Sequence, residues 1–213
     1  CSRDVVVIKL LKRGADPIIT DSTGNTALHL AIEHNLSGET IISILEAATP
    51  RTGDILGPDG MMDPSVCSSG EDPDVNRQAT SEIINFRNQK WQTPLFLAVT
   101  LARVNIVQIL VERGADPNIA DIDGNTPLHT HMPTELTDEI IISMIENIDV
   151  NEAGKDGATL LHMAIECRRE VVVKYLLTRG ANPLIPDLTG KTALNLAIYH
   201  NLSKQIIIDI IEA

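Results

Sequence analysis

The chain has 213 residues, of which 43% are hydrophobic but only 2% aromatic, and its formal net charge at pH 7 is −12. The scarcity of aromatic residues predicts a core of Leu, Ile, Val and Ala. The acidic balance argues against direct binding to nucleic acid, because neutralising phosphates requires a basic surface. It favours a basic protein partner through electrostatic steering, although the same charge also serves simple solubility.

One short phrase recurs along the chain at a fixed spacing. After a helix predicted over Asp4 to Lys12, the phrase appears as Thr26-Ala27-Leu28-His29. It returns with its threonine at Thr93, Thr126, Thr159 and Thr192, which are 33 residues apart. A period of this length predicts stacked supersecondary units, each too thin to bury its own apolar face, instead of one globular core.

The best preserved unit, residues 84–120, predicts two helices and a turn. Thr93 supplies a capping oxygen, and Pro94 presets φ in the first helical turn. Apolar residues at helical spacing then follow in two groups: Leu95, Leu97, Ala98 and Val99, and Ile106, Val107, Ile109 and Leu110. The second helix is predicted to stop at Gly114, because a left-handed C-cap favours a residue without a Cβ.

The units predict a single all-α domain over residues 1–213, a solenoid of about five to six helix-turn-helix units with short β-hairpin fingers. Their expected bounds are 1–20 (partial), 21–47, 84–120, 121–153, 154–186 and 187–213 (partial). Pro133 falls where the first helix of its unit should continue, so that helix is expected to be short or bent. Residues 5–47 match residues 171–213 at 28 of 43 positions, which indicates duplication of a two-unit block.

The spacing from Thr26 to Thr93 is 67 residues, which is two periods plus one. Either a worn-out repeat or an inserted loop occupies the extra length. The many Pro and Gly residues and the missing helical period favour a flexible acidic insertion over residues 48–82. Ser68 and Ser69 each have an acidic residue three positions later, a pattern of acidophilic kinase sites that also occurs in ordinary polar loops.

The repeated phrase resembles the ankyrin repeat over most of the chain outside residues 48–82. By that resemblance, the Thr hydroxyl and the His of the phrase hydrogen-bond to stabilise the turn, so His29, His129 and His162 are structural. Around Ile83-Ile84-Asn85-Phe86-Arg87-Asn88 and Gln92-Thr93-Pro94-Leu95, the chain looks more narrowly like the second ankyrin repeat of IκB proteins and NF-κB precursors. This likeness spans roughly residues 24–130 and implies a Rel-homology dimer as partner.

Ankyrin stacks generally bind proteins through finger tips and the exposed face of the first helices. Trp91 stands where other units have Gly24, Gly124, Gly157 and Gly190, and Trp is a usual interface anchor. The rival interpretation folds the Trp91 ring back onto the neighbouring loop. The other predicted partner-binding residues are Lys90, Asp121 and Asp123 on the fingers, and Glu33, Asn35, Arg103, Glu166, Arg168 and Tyr199 on the first helices.

We therefore expect a non-enzymatic protein-binding domain without cofactor, catalytic residues, bound metal or small-molecule substrate. The specific hypothesis is an IκB-like inhibitor that binds through an acidic concave surface. The alternative is a general adaptor with another partner, such as a cytoskeletal scaffold, a channel domain or a pathogen or symbiont effector. No apolar run reaches the ~18 residues of a membrane span. Cys1, Cys67 and Cys167 share no metal-like spacing and are typical of free thiols, which predicts a cytoplasmic location, with the nucleus as a further one.

Overall fold

The computed structural model describes residues 2–48, 82–130, 132–146 and 148–213. Within these ranges eleven helices form, together with one helical turn at residues 82–84. In chain order they are α1 Ser2–Lys12, α2 Ala27–Glu33, α3 Gly38–Ala47, α4 Pro94–Thr100, α5 Val104–Glu112, α6 Pro127–Thr130, α7 Asp138–Ile145, α8 Leu160–Glu166, α9 Glu170–Thr178, α10 Ala193–Tyr199 and α11 Lys204–Glu212. Residues 49–81 of the predicted insertion, with Ser68, Ser69 and Cys67, lie outside the described residues, as does Cys1.

The helices pack in two layers. The first helices of successive units make one row, α2, α4, α6, α8 and α10, in which each helix contacts the next. The second helices make the other row, α1, α3, α5, α7, α9 and α11, again with each contacting its neighbour. One continuous cluster of buried Leu, Ile, Val and Ala side chains fills the space between the layers, as the aliphatic composition predicted. The described chain is an all-α ankyrin solenoid.

Each first helix begins at the threonine of the repeated phrase. Thr93 has an extended backbone, and its Oγ1 accepts a hydrogen bond of 3.1 Å from the amide of Phe96. Thr26 and Thr159 cap in a second way, because their hydroxyl lies 2.8 and 2.9 Å from Nδ1 of His29 and His162. The other ring nitrogen, Nε2, lies 3.0 Å from the carbonyl of Gln92 and 3.2 Å from that of Lys191, both in the next unit.

These contacts define the role of the histidines. A carbonyl only accepts, so Nε2 carries the ring proton and donates to the following unit, while Nδ1 accepts from the threonine. His129 makes the same pair of contacts, 2.8 Å to the Thr126 hydroxyl and 3.1 Å to the Glu152 carbonyl. The prediction that these histidines are structural is confirmed, and His29 and His162 also join two neighbouring units.

The units before and after residues 49–81 are direct neighbours in the stack. Helix α2 packs against α4, and α3 packs against α5. The Gln89 amide donates to the Thr23 carbonyl at 3.1 Å, and Nδ2 of Asn88 donates to Oδ1 of Asn25 at 3.0 Å. These contacts leave no position for a stacked unit between the two.

Two details of the repeat differ among units. Helix α6 has four residues where α2, α4, α8 and α10 have seven, and Pro133 follows it in a buried position, so the prediction of a short helix is confirmed. The fingers are tight turns and not long hairpins. In the described ranges the β-bridge pairs Ala153 with Thr159, and the turns carry the remaining backbone hydrogen bonds.

Candidate protein-binding site

Four of the five finger tips in the described ranges share one geometry, set by a side-chain oxygen at the first position of the turn, and the fifth begins at Gly154. Oδ1 of Asp121 accepts hydrogen bonds from the amides of Asp123 and Asn125, both at 3.0 Å. Asp21 and Asp187 repeat this arrangement, and in each a threonine hydroxyl adds a third hydrogen bond that lowers the pKa of the carboxyl group. The carboxylate of Asp121, predicted as a partner contact, thus shapes its own turn.

Trp91 occupies the last position of its finger turn with a left-handed backbone. Its φ is 61°, whereas the glycines at the same position of other fingers have φ between 72° and 85°. A residue with a Cβ pays for this conformation with steric strain. The side chain remains 52% exposed, and the guanidinium carbon of Arg87 lies 5.7 Å from the ring centroid. Trp91 therefore stands at the finger tip with one side of its ring near Arg87 of its own finger.

Backbone hydrogen bonds link adjacent fingers at their tips. The Lys90 carbonyl accepts from the amide of Ile122 at 3.1 Å, and the Asp156 carbonyl accepts from the amide of Leu188 at 3.0 Å. The side chains of Ile122 and Leu188 are 63% and 78% exposed. The sequence reasoning missed these two apolar residues. The available signal was an aliphatic residue at the second turn position, where other fingers have Ser, Gln or Lys.

One ion pair joins two adjacent fingers. Nζ of Lys155 lies 2.6 Å from Oδ1 of Asp123 in the preceding finger, and about half of each side chain is exposed. The hydrogen bond to Asp123 raises the pKa of the Lys155 ammonium group. Lys90 is exposed, with no ion pair of its own among the described residues. Beside Trp91, the predicted finger contacts thus comprise the cation Lys90, the ion-paired Asp123, and Asp121, whose carboxylate accepts hydrogen bonds within its own turn.

The predicted residues of the first-helix layer fall into two groups. Glu33, Glu166 and Tyr199 are the last residues of α2, α8 and α10, and all three are exposed. They lie at equivalent positions of their units and form one row along the stack. Asn35 and Arg168 are also exposed, but they lie beyond the helix in the loop, where their φ values are 53° and 55°.

Arg103 was predicted to be an exposed first-helix residue, but its position and burial are different. It immediately precedes α5, its side chain is half-buried, and its Nε has no hydrogen-bond partner among the described residues. Arg169 has the same backbone conformation before α9, yet its guanidinium donates to Oδ1 of Asp138 at 3.0 Å and to the Pro133 carbonyl. In the unit before Arg103, the position equivalent to Asp138 is Gly38. No carboxylate is therefore available at that position to bind the Arg103 guanidinium.

We searched the described residues for metal-binding clusters, membrane-spanning helices and reactive side chains. Within them, no group of three or more His, Cys, Asp or Glu side chains could hold a metal ion, and no helix is long and apolar enough to cross a membrane. Burial lowers the pKa of His29 and His129 and raises the pKa of the Cys167 thiol. Cys167 is a free, half-buried cysteine, so its thiol is mostly protonated and weakly nucleophilic.

The repeats, the two helix layers and the finger row together define an ankyrin-repeat protein-interaction domain. Family models of ankyrin repeats match residues 77–130 (many copies) and 131–211 (three copies). The chain therefore belongs to the ankyrin-repeat family.

Relatives within this family are diverse. The chain is 28% identical to the nuclear factor NF-kappa-B p105 subunit of Gallus gallus, over 84% of this chain and 16% of that protein. It is 30% identical to a putative ankyrin repeat protein of Rickettsia bellii, over 59% of this chain and 69% of that protein. The human B-cell lymphoma 3 protein is 32% identical over 55% of this chain and 27% of its own length. The chain thus spans only a minor part of the first and third of these relatives.

Proposed function

We propose that this chain binds a protein partner through its finger tips, without catalysing a reaction, and that the partner is a Rel-homology dimer, as for an IκB-like inhibitor. The observation that carries the binding proposal is Trp91. Its left-handed backbone costs folding free energy, and about half of its side chain is exposed. A contact outside the chain accounts for a strained and exposed aromatic anchor at a finger tip.

The surface around Trp91 has the composition of a protein interface. Ile122 belongs to the next finger, whose backbone is bonded to Lys90, so two exposed apolar side chains lie on adjacent fingers. Apolar anchors with a charged surround are the usual composition of the centre and rim of an interface. Lys90, Asp123 and Lys155 supply that rim.

Net charge and similarity favour the Rel-homology partner. A chain with net charge −12 attracts a basic segment and accelerates its association, an effect that salt weakens. Similarity to the NF-kappa-B p105 subunit and to B-cell lymphoma 3 protein supports the same direction. We place this interaction in the cytoplasm, with the nucleus as a second location, because a transcription factor and its inhibitor would meet there.

Capture of a purified Rel-homology dimer by the immobilised chain tests the proposal. We expect capture at low salt, weaker capture at high salt, and a loss of roughly 1–3 kcal/mol of binding free energy in Trp91→Gly. The control is Ile211→Ser, which removes a similarly exposed apolar side chain from α11 in the other helix layer. Equal losses in both variants would contradict a finger-tip site.

Absence of capture at low salt would remove the Rel-homology partner and favour the alternative, an adaptor for a different protein. Similarity to the putative ankyrin repeat protein of Rickettsia bellii supports this alternative. Trp91→Gly remains the informative variant for that case, because the finger-tip site does not depend on the identity of the partner.

A further inference from the structure

A polar pocket lies in the interior of the stack, between the loop that joins α2 to α3 and the loop that joins α4 to α5. We call it the interloop pocket. Its volume is about 430 Å³, which is within the usual range of ligand pockets. The two loops follow the C-terminal ends of α2 and α4, whereas the finger turns precede the N-terminal ends, so the pocket is separate from the finger-tip site. Its lining includes Asn35, Ser37, Gly38, Ala102, Arg103 and Asn105.

Arg103 is the cation of the interloop pocket. Its side chain is half-buried, and its Nε is a buried donor with no hydrogen-bond partner among the described residues. No ion pair in those ranges includes Arg103. A buried donor of a charged group that lacks an acceptor costs folding free energy. An acceptor supplied from outside the chain would remove that cost.

Arg169 shows which chemical group an arginine in this environment binds. It precedes α9 with φ −84° and ψ 71°, and Arg103 precedes α5 with φ −83° and ψ 69°. Helix α9 packs against α7, as α5 packs against α3. Asp138 is the first residue of α7, and its Oδ1 accepts from Nη1 of Arg169 at 3.0 Å. Gly38 is the first residue of α3, and it brings no side chain into the pocket beside Arg103.

From this comparison we propose that the interloop pocket binds the carboxylate of an Asp or Glu side chain from a protein partner. The Arg103 guanidinium donates charge-assisted hydrogen bonds to that carboxylate, as Arg169 does to Asp138. The net charge of −12 repels anions at long range, so the pocket does not attract the partner. It fixes the orientation of a partner that other contacts hold, which is the usual role of local charge pairs in interfaces.

Nuclear magnetic resonance spectroscopy of the isotope-labelled chain tests the proposal. The probe is N-acetyl-aspartate N-methylamide, which carries one carboxylate, and N-acetyl-asparagine N-methylamide is its uncharged counterpart. At constant ionic strength the aspartate probe should shift the Nε–H signal of Arg103 and the backbone amide signal of Gly38 saturably. The asparagine counterpart should shift neither. The Nε–H signal of Arg169 is the internal control and should not move, because Asp138 already binds that guanidinium.

Two pairs of variants separate charge from other effects. Arg103→Gln removes the cation and should weaken the response of the Gly38 amide at least about tenfold. Its control is Arg113→Gln, which removes an exposed cation from the end of α5 and should leave the response unchanged. Gly38→Asp places a carboxylate of the chain beside Arg103 and should abolish the response of the Arg103 signal. Its control is Gly38→Ala, which adds a Cβ 2.9 Å from Cδ1 of Ile109 without a charge and should retain the response.

Circular dichroism should show that all four variants are folded. Absence of a saturable shift at Arg103 and Gly38 would overturn the proposal. Equal losses in Arg103→Gln and Arg113→Gln would also overturn it, because the response would then follow overall charge. So would equal losses in Gly38→Asp and Gly38→Ala, because added bulk would then be the cause. Inorganic phosphate is the last probe, and saturable binding of phosphate without binding of the aspartate probe would refute a carboxylate as the ligand.

Discussion

The strain at Trp91 can be measured by comparing two substitutions at that single position. Trp91→Ala removes the ring but keeps a Cβ at φ 61°. Trp91→Gly removes the ring and the strain together. Both variants lose the contact with Arg87, an exposed cation–π interaction of about 0.5–1 kcal/mol. The left-handed conformation costs an Ala about 1 kcal/mol relative to Gly.

The expected free energies of unfolding follow directly. Trp91→Ala should be about 1 kcal/mol less stable than the wild type, since it keeps the strain and loses the ring. Trp91→Gly should lie within about 1 kcal/mol of the wild type, because relief of strain offsets the lost contact. Urea unfolding followed by far-ultraviolet circular dichroism is the assay, since Trp91 is the sole tryptophan and fluorescence disappears with it. Equal stability of the Ala and Gly variants would refute the assignment of a strained backbone.

Three further predictions concern the stack. Gly114→Val should destabilise the protein by about 1 kcal/mol or more, measured in the same unfolding assay. Gly114 has φ +84°, and a Cβ there meets no atom within 4 Å, so the cost is purely one of backbone conformation; an unchanged unfolding curve would contradict that origin. Burial depresses the pKa of His29 and His129 in the folded state below the unfolded value of about 6.5. Stability should therefore be highest above about pH 6.5 and fall as pH drops toward the folded pKa values, and the double variant to Gln should show a flatter dependence between about pH 7.5 and 5.5. Deletion of residues 49–81 should preserve cooperative thermal unfolding, because the flanking units already contact each other; loss of helical structure in the deletion variant would contradict direct stacking.

The finger tips show how far residue patterns reached toward the candidate site. The glycine slot, read from the period alone, placed Trp91 at a finger tip, because every unit repeats the same turn, and the structure added its left-handed φ of 61°. The same reasoning predicted Asp121 as a partner contact and did not predict the hydrogen bonds that its carboxylate accepts within its own turn. Whether a carboxylate faces solvent or the amides of its own turn depends on a rotation of one side chain, and a pattern of residue types does not specify it. Ile122 and Leu188 were missed because the exposure of their side chains depends on how neighbouring fingers pack, and residue types alone do not specify that packing.

Arg103 and Arg169 make the same point within the stack. The two residues have the same local backbone, and their sequence surroundings predict similar roles. Their environments differ because Arg169 binds Asp138 of the preceding unit, whereas the equivalent position before Arg103 is Gly38. That difference requires knowing which units are neighbours, and between residues 48 and 82 only the three-dimensional contacts provide it.

The sequence by itself determined the repeating unit: its helix pair, its capping threonines, its left-handed glycine stops and the shortened helix before Pro133. These features are local, since each depends on the dihedral angles and hydrogen bonds of a few consecutive residues. The tertiary structure decided the order of stacking across residues 49–81 and the partners of the half-buried arginines. Those depend on contacts between residues distant in the chain, where burial is set by whichever helix packs opposite.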